Sequence, residues 1–400
     1  MIWEKVPFES LYLIPSRNGL TRPQRVRGSG HKMVNMGELF KYDRITSDIE
    51  MELVPMNNKE LTNTVLESGD ILFARQSLVR EGAGKCSIIL DVNEVLTFES
   101  HLIRIRLNTK VANPLFYYYY FSSSVSNMQT IIQQCAQAGI RGSELTKLEV
   151  HKPPMVIQNK IANILSAYDD LIELNNRRIK LLYNAGKNLY KQWFIHFKYP
   201  GSHINEAFKS WSKQKINDIG KVITGKTPST KNPDFYGGEV PFIKTPDMHG
   251  NIFITKTGNY LTELGAGAQK NKYIPENTLI VSCIGTIGVV AITSQASQTN
   301  QQINSVILNK NYYLYYCYYA FQSLKEQMEA LGGGATMSNV NKTKFENLEI
   351  VFPEENLLQD FNDLCEPIFE QILNLQKQNE KLSQARDLLV NRLMRGEIKV

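Results

Sequence analysis

Gly220-Lys-Val-Ile-Thr-Gly225-Lys226-Thr227 satisfies the phosphate-binding pattern GxxxxGK[ST] letter for letter. Such a loop works where it leaves a buried strand and opens a helix whose N-terminus meets the phosphates. Here Pro228 follows Thr227 and pushes it to extended geometry. Pro233 comes next in a loop of Ser, Thr and Asn, and the preceding stretch 213–218 is polar. The context argues against a nucleotide site. A nuclease pattern can be forced from Pro246-Asp247 and Glu397-Ile-Lys399, but they stand 150 positions apart. No [DNS]PP[YFW] methyltransferase motif and no GxSxG elbow occur. His31, His101, His151, His196, His203 and His249 form no HxH or HExxH set. No catalytic residue and no metal ligand is assigned.

Aromatic runs offer another chemistry. Tyr117-Tyr-Tyr-Tyr120 and Tyr312-Tyr-Leu-Tyr-Tyr316 have rings that can stack on bases. They recur at the same place in two halves of the chain, which favours the buried face of a helix.

Composition bounds the class. The chain has 400 residues, which suits two to four domains. With 42% apolar and 21% charged residues it reads as a folded, soluble protein. Its net charge of +6 permits nucleic-acid binding without demanding it. Cys86, Cys135, Cys283, Cys317 and Cys365 are scattered and odd in number, as expected of free thiols in a reducing cytoplasm. The N-terminus has no secretory pattern. The apolar run 279–292 is broken by Gly285 and Gly288 and is too short to span a bilayer. It predicts buried strands joined by a glycine turn.

The elements that must position any site come from a repeat. Ala185-Gly-Lys-Asn-Leu189 lines up with Ala385-Arg-Asp-Leu-Leu389, and Leu148-Glu149-Val150 with Leu348-Glu349-Ile350. The same offset of 200 pairs Pro153 with Pro353 and Tyr118-Tyr119 with Tyr318-Tyr319. The repeat is kept best in its C-terminal third. Each copy opens with short β-like runs and Gly/Pro/Asn turns, such as Asp70-Ile-Leu-Phe-Ala-Arg75, His101-Leu-Ile-Arg-Ile-Arg106, Thr278-Leu-Ile-Val281 and Ile303-Asn-Ser-Val-Ile-Leu308. Tyr-rich helical stretches follow near 114–135 and 312–331.

Each copy ends in a long helix, over 157–195 and 355–395. Apolar residues fall at Ile161, Leu165, Tyr168, Ile172, Ile179, Leu182, Leu189 and Trp193, then at Phe361, Cys365, Ile368, Ile372, Leu375, Leu382, Leu389 and Leu393. Steps of three and four are a coiled-coil seam. A rod of roughly 57 Å follows from the rise per residue. Asn175 and Asn379 interrupt the seam. If the helices pair antiparallel with residue 177 facing 377, the two asparagines meet and can fix register; otherwise both reach solvent. The expected fold is α/β (α+β). It has two β-rich domains separated by two long helices in an antiparallel coiled coil, with an internal pseudo-two-fold duplication. The expected boundaries are 1–153, 154–198, 199–353 and 354–400. Two readers so related suit two half-sites on duplex DNA, with their spacing set by the rod.

A family resemblance enters at particular motifs. Asp218-Ile-Gly220 through Ser229, Tyr236-Gly-Gly-Glu-Val-Pro241-Phe-Ile-Lys244-Thr-Pro-Asp247 and Gly285-Thr-Ile-Gly288 resemble the specificity subunits of type I restriction–modification systems. So do Asn300-Gln-Gln302, Met337-Ser-Asn-Val-Asn-Lys342 and Leu348-Glu-Ile-Val-Phe-Pro353. The first copy is similar more loosely, at Arg17-Asn-Gly19-Leu-Thr21, Gly69-Asp-Ile-Leu-Phe-Ala-Arg75, Gly82-Ala-Gly84 and Phe98-Glu-Ser-His101. Gly37-Glu-Leu39 sits where Pro246-Asp247 does, without matching it. The resemblance implies a non-catalytic, cytoplasmic subunit with two target-recognition domains reading a bipartite DNA site. It implies two methyltransferase subunits and restriction/translocase subunits as partners. S-adenosylmethionine, ATP and Mg would belong to those partners, with no cofactor on this chain and no membrane.

Phosphate contacts suit Lys, Arg and loop amides, and base edges suit Gln, Asn and Arg. The candidates in the second domain are Lys226, Thr227, Ser229, Lys244, Lys342 and Lys344 for phosphates, and Gln301, Gln302 and Asn341 for bases. In the first domain Arg22, Arg25, Arg27 and Lys32 form a basic cluster, with Arg75, Gln76, Arg80, Lys85 and Arg141 near in motif order. Rival readings are a nucleotide-binding enzyme, a specificity module of another restriction–methylation system, and an adaptor without a DNA role.

Overall fold

The computed structural model describes residues 3–134, 138–200, 211–332 and 339–400. Cys135, His203 and the Met337-Ser338 start of one motif lie outside the described residues. The chain forms two compact units, Met1–Leu171 with Leu382–Val400, and Ile172–Lys381.

The first unit is built on β1 (Tyr12–Asn18), β2 (His31–Val34), β3 (Arg44–Ile45), β4 (Ile71–Ala74), β5 (Cys86–Ile89), β6 (Leu96–Phe98) and β7 (Leu102–Leu107). Five of them make a sheet of order β1-β7-β4-β5-β3, while β2 pairs parallel with β6. The apolar run Ile71-Leu-Phe-Ala74 is buried along its length, as a central strand covered on both faces must be. Alternation then sends Ile71 and Phe73 to one core and Leu72 and Ala74 to another. Helices α1 (Met36–Lys41), α2 (Pro114–Ser122) and α3 (Gly142–Lys147) complete the unit, and α4 (Met155–Tyr190) begins in it.

The second unit repeats the plan element by element. Its strands are β8 (Gly220–Thr224), β9 (Tyr236–Ile243), β10 (Phe253–Ile254), β11 (Leu279–Ser282), β12 (Val290–Thr293), β13 (Gln298–Thr299) and β14 (Ile303–Leu308). The sheet order is β8-β14-β11-β12-β10, and β9 pairs parallel with β13. Helices α5 (Thr245–Met248), α6 (Leu314–Ser323), α7 (Lys342–Glu346) and α8 (Glu355–Met394) answer α1 to α4. The run 279–292 is thus two buried antiparallel strands, and the connecting Gly285 and Gly288 take φ of +76° and +81°. Backbone bonds recur as well. Phe8 N–H donates to Leu148 O at 2.9 Å, and Ile216 N–H to Leu348 O at 3.0 Å. The duplication read from the sequence is a duplication of topology.

Both tyrosine runs are core. Tyr117, Tyr119 and Tyr120 are among the largest fully buried side chains, and Tyr315 stacks on Phe369 at 4.3 Å. Burial pushes the phenols of Tyr117, Tyr119, Tyr316 and Tyr319 far above their ordinary range. The helical stretch expected over 114–135 is shorter, because α2 ends at Ser122. Ser123 accepts from Val125 N–H and donates to Tyr120 O, so a serine cluster turns the chain away from the helix.

The seam residues of the long helices are all buried or half-buried. Helix α4 ends at Tyr190 and passes into a π turn, Lys191–Ile195, while α8 runs through Pro367 without a break. Within the second unit the two helices run antiparallel. Asn175 Nδ2 donates to Asn379 Oδ1 at 2.9 Å, and Trp193 packs on Phe361 at 5.8 Å. Asn175 is 1% exposed, and Asn379 in turn donates to Asn176 Oδ1 at 2.9 Å. In the first unit the seam carries charge. Arg386 forms an ion pair with Asp169, which also accepts from Tyr119 Oη at 2.5 Å. No helix among the described residues is long and apolar enough to cross a membrane.

Candidate nucleic-acid interface

In each unit, loops from distant parts of the chain are tied side by side by the same backbone bonds. In the first unit Leu20 N–H donates to Phe98 O (2.7 Å), Arg75 N–H to His101 O (2.8 Å) and Ile140 N–H to Arg75 O (2.9 Å). In the second, Lys226 N–H donates to Thr299 O (2.9 Å), Cys283 N–H to Gln302 O (2.7 Å) and Val340 N–H to Cys283 O (2.9 Å). Four segments therefore form one platform: the turn after β1 or β8, the exit from β4 or β11, the turn into β7 or β14, and the segment entering α3 or α7.

Close approach fixes one residue type in this platform. A Cβ on Gly19 would sit 1.9 Å from Phe98 O, and one on Gly225 would sit 2.1 Å from Asn300 O. Only glycine lets the first turn lie on the second. The same observation disposes of the phosphate-loop pattern. Its first five residues are an edge strand, and irregular chain follows Gly225 where a helix N-terminus is needed.

The side chains on the two platforms differ. In the second unit Lys226 is exposed, and Thr227 Oγ1 donates to Gln301 Oε1 at 2.5 Å. Gln302 Oε1 accepts from Asn300 Nδ2 at 2.9 Å and from Thr245 Oγ1 at 3.4 Å. Behind them Gln269 Nε2 holds Lys226 O at 2.8 Å and Gln298 Oε1 at 2.6 Å. Lys226, Thr227, Gln301 and Gln302 are thus brought together, while Ser229 is exposed further along the loop. Asn341 enters α7 as its N-cap, accepting from Lys344 N–H at 2.9 Å. Lys342 pairs with Glu346 at 3.2 Å, Lys344 Nζ donates to Leu331 O at 2.9 Å, and Lys244 Nζ donates to Asn259 Oδ1 at 3.0 Å.

In the first unit Arg75 and Gln76 leave β4 beside His101, and Arg141 takes the place at α3 that Asn341 takes at α7. Arg75, Gln76, Arg80 and Arg141 make no side-chain hydrogen bond or ion pair among the described residues. Arg25 likewise is exposed on a short turn and unpaired among those residues. The other basic candidates are engaged. Arg22 pairs with Glu60 at 2.6 Å, Arg27 pairs with Glu52, and Lys32 pairs with Glu94 at 2.7 Å. The Arg22 hydrogen bond, with that from the Asn57 N–H, holds the Glu60 carboxyl below its ordinary range. Lys85 Nζ donates to Phe40 O at 2.8 Å and lies 3.6 Å from Asp43.

Sequence reading missed Arg17 on β1, Arg104 on β7 and the buried Gln269–Gln298 support. Arg104 is hidden inside an apolar run, and the two glutamines lie 29 residues apart. The one available signal for Arg104 was its charge at an inward strand position. No group of three or more His, Cys, Asp or Glu able to hold a metal occurs among the described residues.

Comparison with known proteins adds sequence and fold relationships. The model of the type I restriction modification DNA specificity domain matches residues 35–184 and again 209–380. The HindI type I restriction enzyme specificity subunit of Haemophilus influenzae is 28% identical, over 83% of this chain and 87% of its own length. A putative MjaX specificity subunit of Methanocaldococcus jannaschii is 25% identical, over 96% of this chain and 91% of its own. Among solved structures, the type I S subunit from M. genitalium shares the fold with a TM-score of 0.56 at 13% identity, covering 98% of this chain and 96% of that one.

Proposed function

The chain belongs to the type I restriction–modification DNA specificity family, and from that premise we propose that it is the subunit that reads a bipartite duplex target, one half per unit. The observation that carries this reading is the platform built twice with the same backbone bonds and different side chains. A shared scaffold with a varied surface is what two half-sites of unlike sequence require.

Contacts divide by chemistry. Arg75, Arg80, Arg141 and Lys226 can meet phosphates, which position the duplex without reading it. Gln76, Gln301 and Gln302 can bond in a bidentate way to adenine edges in the major groove, and a free arginine can do so to guanine. Arg22, Arg27, Lys32, Lys85, Lys342 and Lys344 already have partners in the chain. They contribute to DNA binding only where a phosphate displaces those partners.

The chain carries no chemistry of its own in this reading. It scaffolds two methyltransferase subunits and, through them, restriction/translocase subunits in the cytoplasm. S-adenosylmethionine, ATP and Mg are used on those partners. The test is a map of modified bases in the host genome with the gene intact, deleted and restored. The expected result is one bipartite adenine-methylated motif that vanishes on deletion and returns on restoration. An unchanged map, with gene and methyltransferase both expressed, overturns the reading.

A further inference from the structure

Strand β7 carries two arginines on one face, Arg104 and Arg106, and they are satisfied very unequally. Arg106 donates from Nε to Asp70 Oδ1 at 2.7 Å and from its terminal nitrogens to Asp70 Oδ2 at 2.8 Å, to Val65 O at 3.0 Å and to Glu67. Asp70 Oδ2 also accepts from Glu67 N–H at 2.8 Å. The carboxylates nearest to Arg104 are therefore spent on its neighbour.

Arg104 itself is 4% exposed and makes no hydrogen bond or ion pair among the described residues. Its Nε is closed off from solvent without an acceptor, whereas its terminal nitrogens are not among the shut-in atoms. Directly across the strand pair stands Arg17 of β1, exposed and also unpaired among the described residues. Like charges opposite one another on neighbouring strands repel, and a buried charge without a partner is costly. The fold does not demand this arrangement, because the second unit places Ser305 across from Ile223 at the matching position. Two arginines paired across neighbouring strands and close enough to repel, one with no acceptor among the described residues, can receive an oxyanion.

We infer that Arg17 and Arg104 form a phosphodiester-binding site of the first unit, clamping the DNA backbone beside the base-reading platform. Arg17 precedes the Gly19 turn by two residues, and Arg104 follows His101 by three, so both strands deliver the platform and the pair together. The inference rests on the DNA-reading function proposed above. It adds a contact peculiar to one half of the target.

The test measures affinity of the full-length chain for a duplex carrying the mapped target, over a series of salt concentrations. The variants are Arg17→Gln, on the exposed edge strand, and Arg104→Ser, the residue that the second unit tolerates there. Each is expected to weaken binding about tenfold and to lower the slope of log affinity against log salt by about one. The methylated motif should stay the same. If Arg104→Ser does not fold, Arg17→Gln carries the test alone. Slopes equal to that of the unaltered chain overturn the site. If inorganic phosphate stabilises the unaltered chain and not the variants while duplex slopes are unchanged, the pair takes a free anion and the DNA assignment falls. If the unaltered chain neither binds the duplex nor governs the methylation map, the function proposed above fails first and this site falls with it.

Discussion

Cys86, Cys283 and Cys365 sit where burial pushes their thiols up to about 12, and burial drives Cys317 up as well. The unfolded chain ionises its thiols near pH 8.5. A group whose folded pKa is raised lends stability that is complete below the unfolded value and is lost as pH climbs toward the folded one. The buried tyrosines work in the same direction at higher pH. The urea midpoint should therefore hold up to about pH 8.5 and fall steadily beyond it. At pH 8, iodoacetamide should label these four cysteines only after unfolding, as read by peptide mass spectrometry. Labelling of Cys86 or Cys283 in the folded protein at that pH would contradict the burial argument. Residue types were legible in the sequence, but partners were not. Arg22, Arg27 and Lys32 read as one cluster because they are close in the chain, while Glu60, Glu52 and Glu94 arrive from 25 to 62 residues away.

Among elements, the long helices carry the sharpest expectation. Asn175 is enclosed in the seam, bonded to Asn379, which bonds in turn to Asn176. Replacing Asn175 by Leu strands the Asn379 carbonyl oxygen and should cost about 1–3 kcal/mol in urea unfolding. Replacing both Asn175 and Asn379 by Leu removes the polar pair together and should recover most of that loss. A single Asn175→Leu change that raises stability would remove the case for a register role. The helices and central strands were readable because their patterns are long or unbroken: three- and four-residue steps in α4 and α8, buried runs at Ile71–Ala74 and Leu279–Ser282. Strands such as Arg44–Ile45 and Phe253–Ile254 were not readable. They are two residues long and exist only through parallel pairing with Ile88–Ile89 and Ile292–Thr293. The end of α2 at Ser122 was missed for a similar reason. The serines that stop it carry no periodicity.

At the scale of the whole molecule, duplication separates what is shared from what can vary. Gly19 and Gly225 fit the first loop onto the second in both units, and Glu38 and Asp247 accept from the N-cap N–H groups of Asn35 and Lys244, both at 2.8 Å. Those positions build the platform and should read nothing. The positions on its outer side, Arg75, Gln76 and Arg141 in one unit and Lys226, Gln301 and Gln302 in the other, have no such constraint. Variation there should change the target one half at a time. Gln301→Ala should weaken binding by about 1–3 kcal/mol and relax one base position in the half read by the second unit. Gln76→Ala should do the same in the other half. Lys226→Ala, acting on a phosphate, should weaken binding across sequences and reduce the salt slope by about one without changing the motif. Methylation maps of cells carrying each variant separate these outcomes. If Gln76→Ala and Gln301→Ala relax the same half-site, the two units do not divide the target between them. If each relaxes its own, a new bipartite specificity can be made by replacing one platform while the other unit stays untouched.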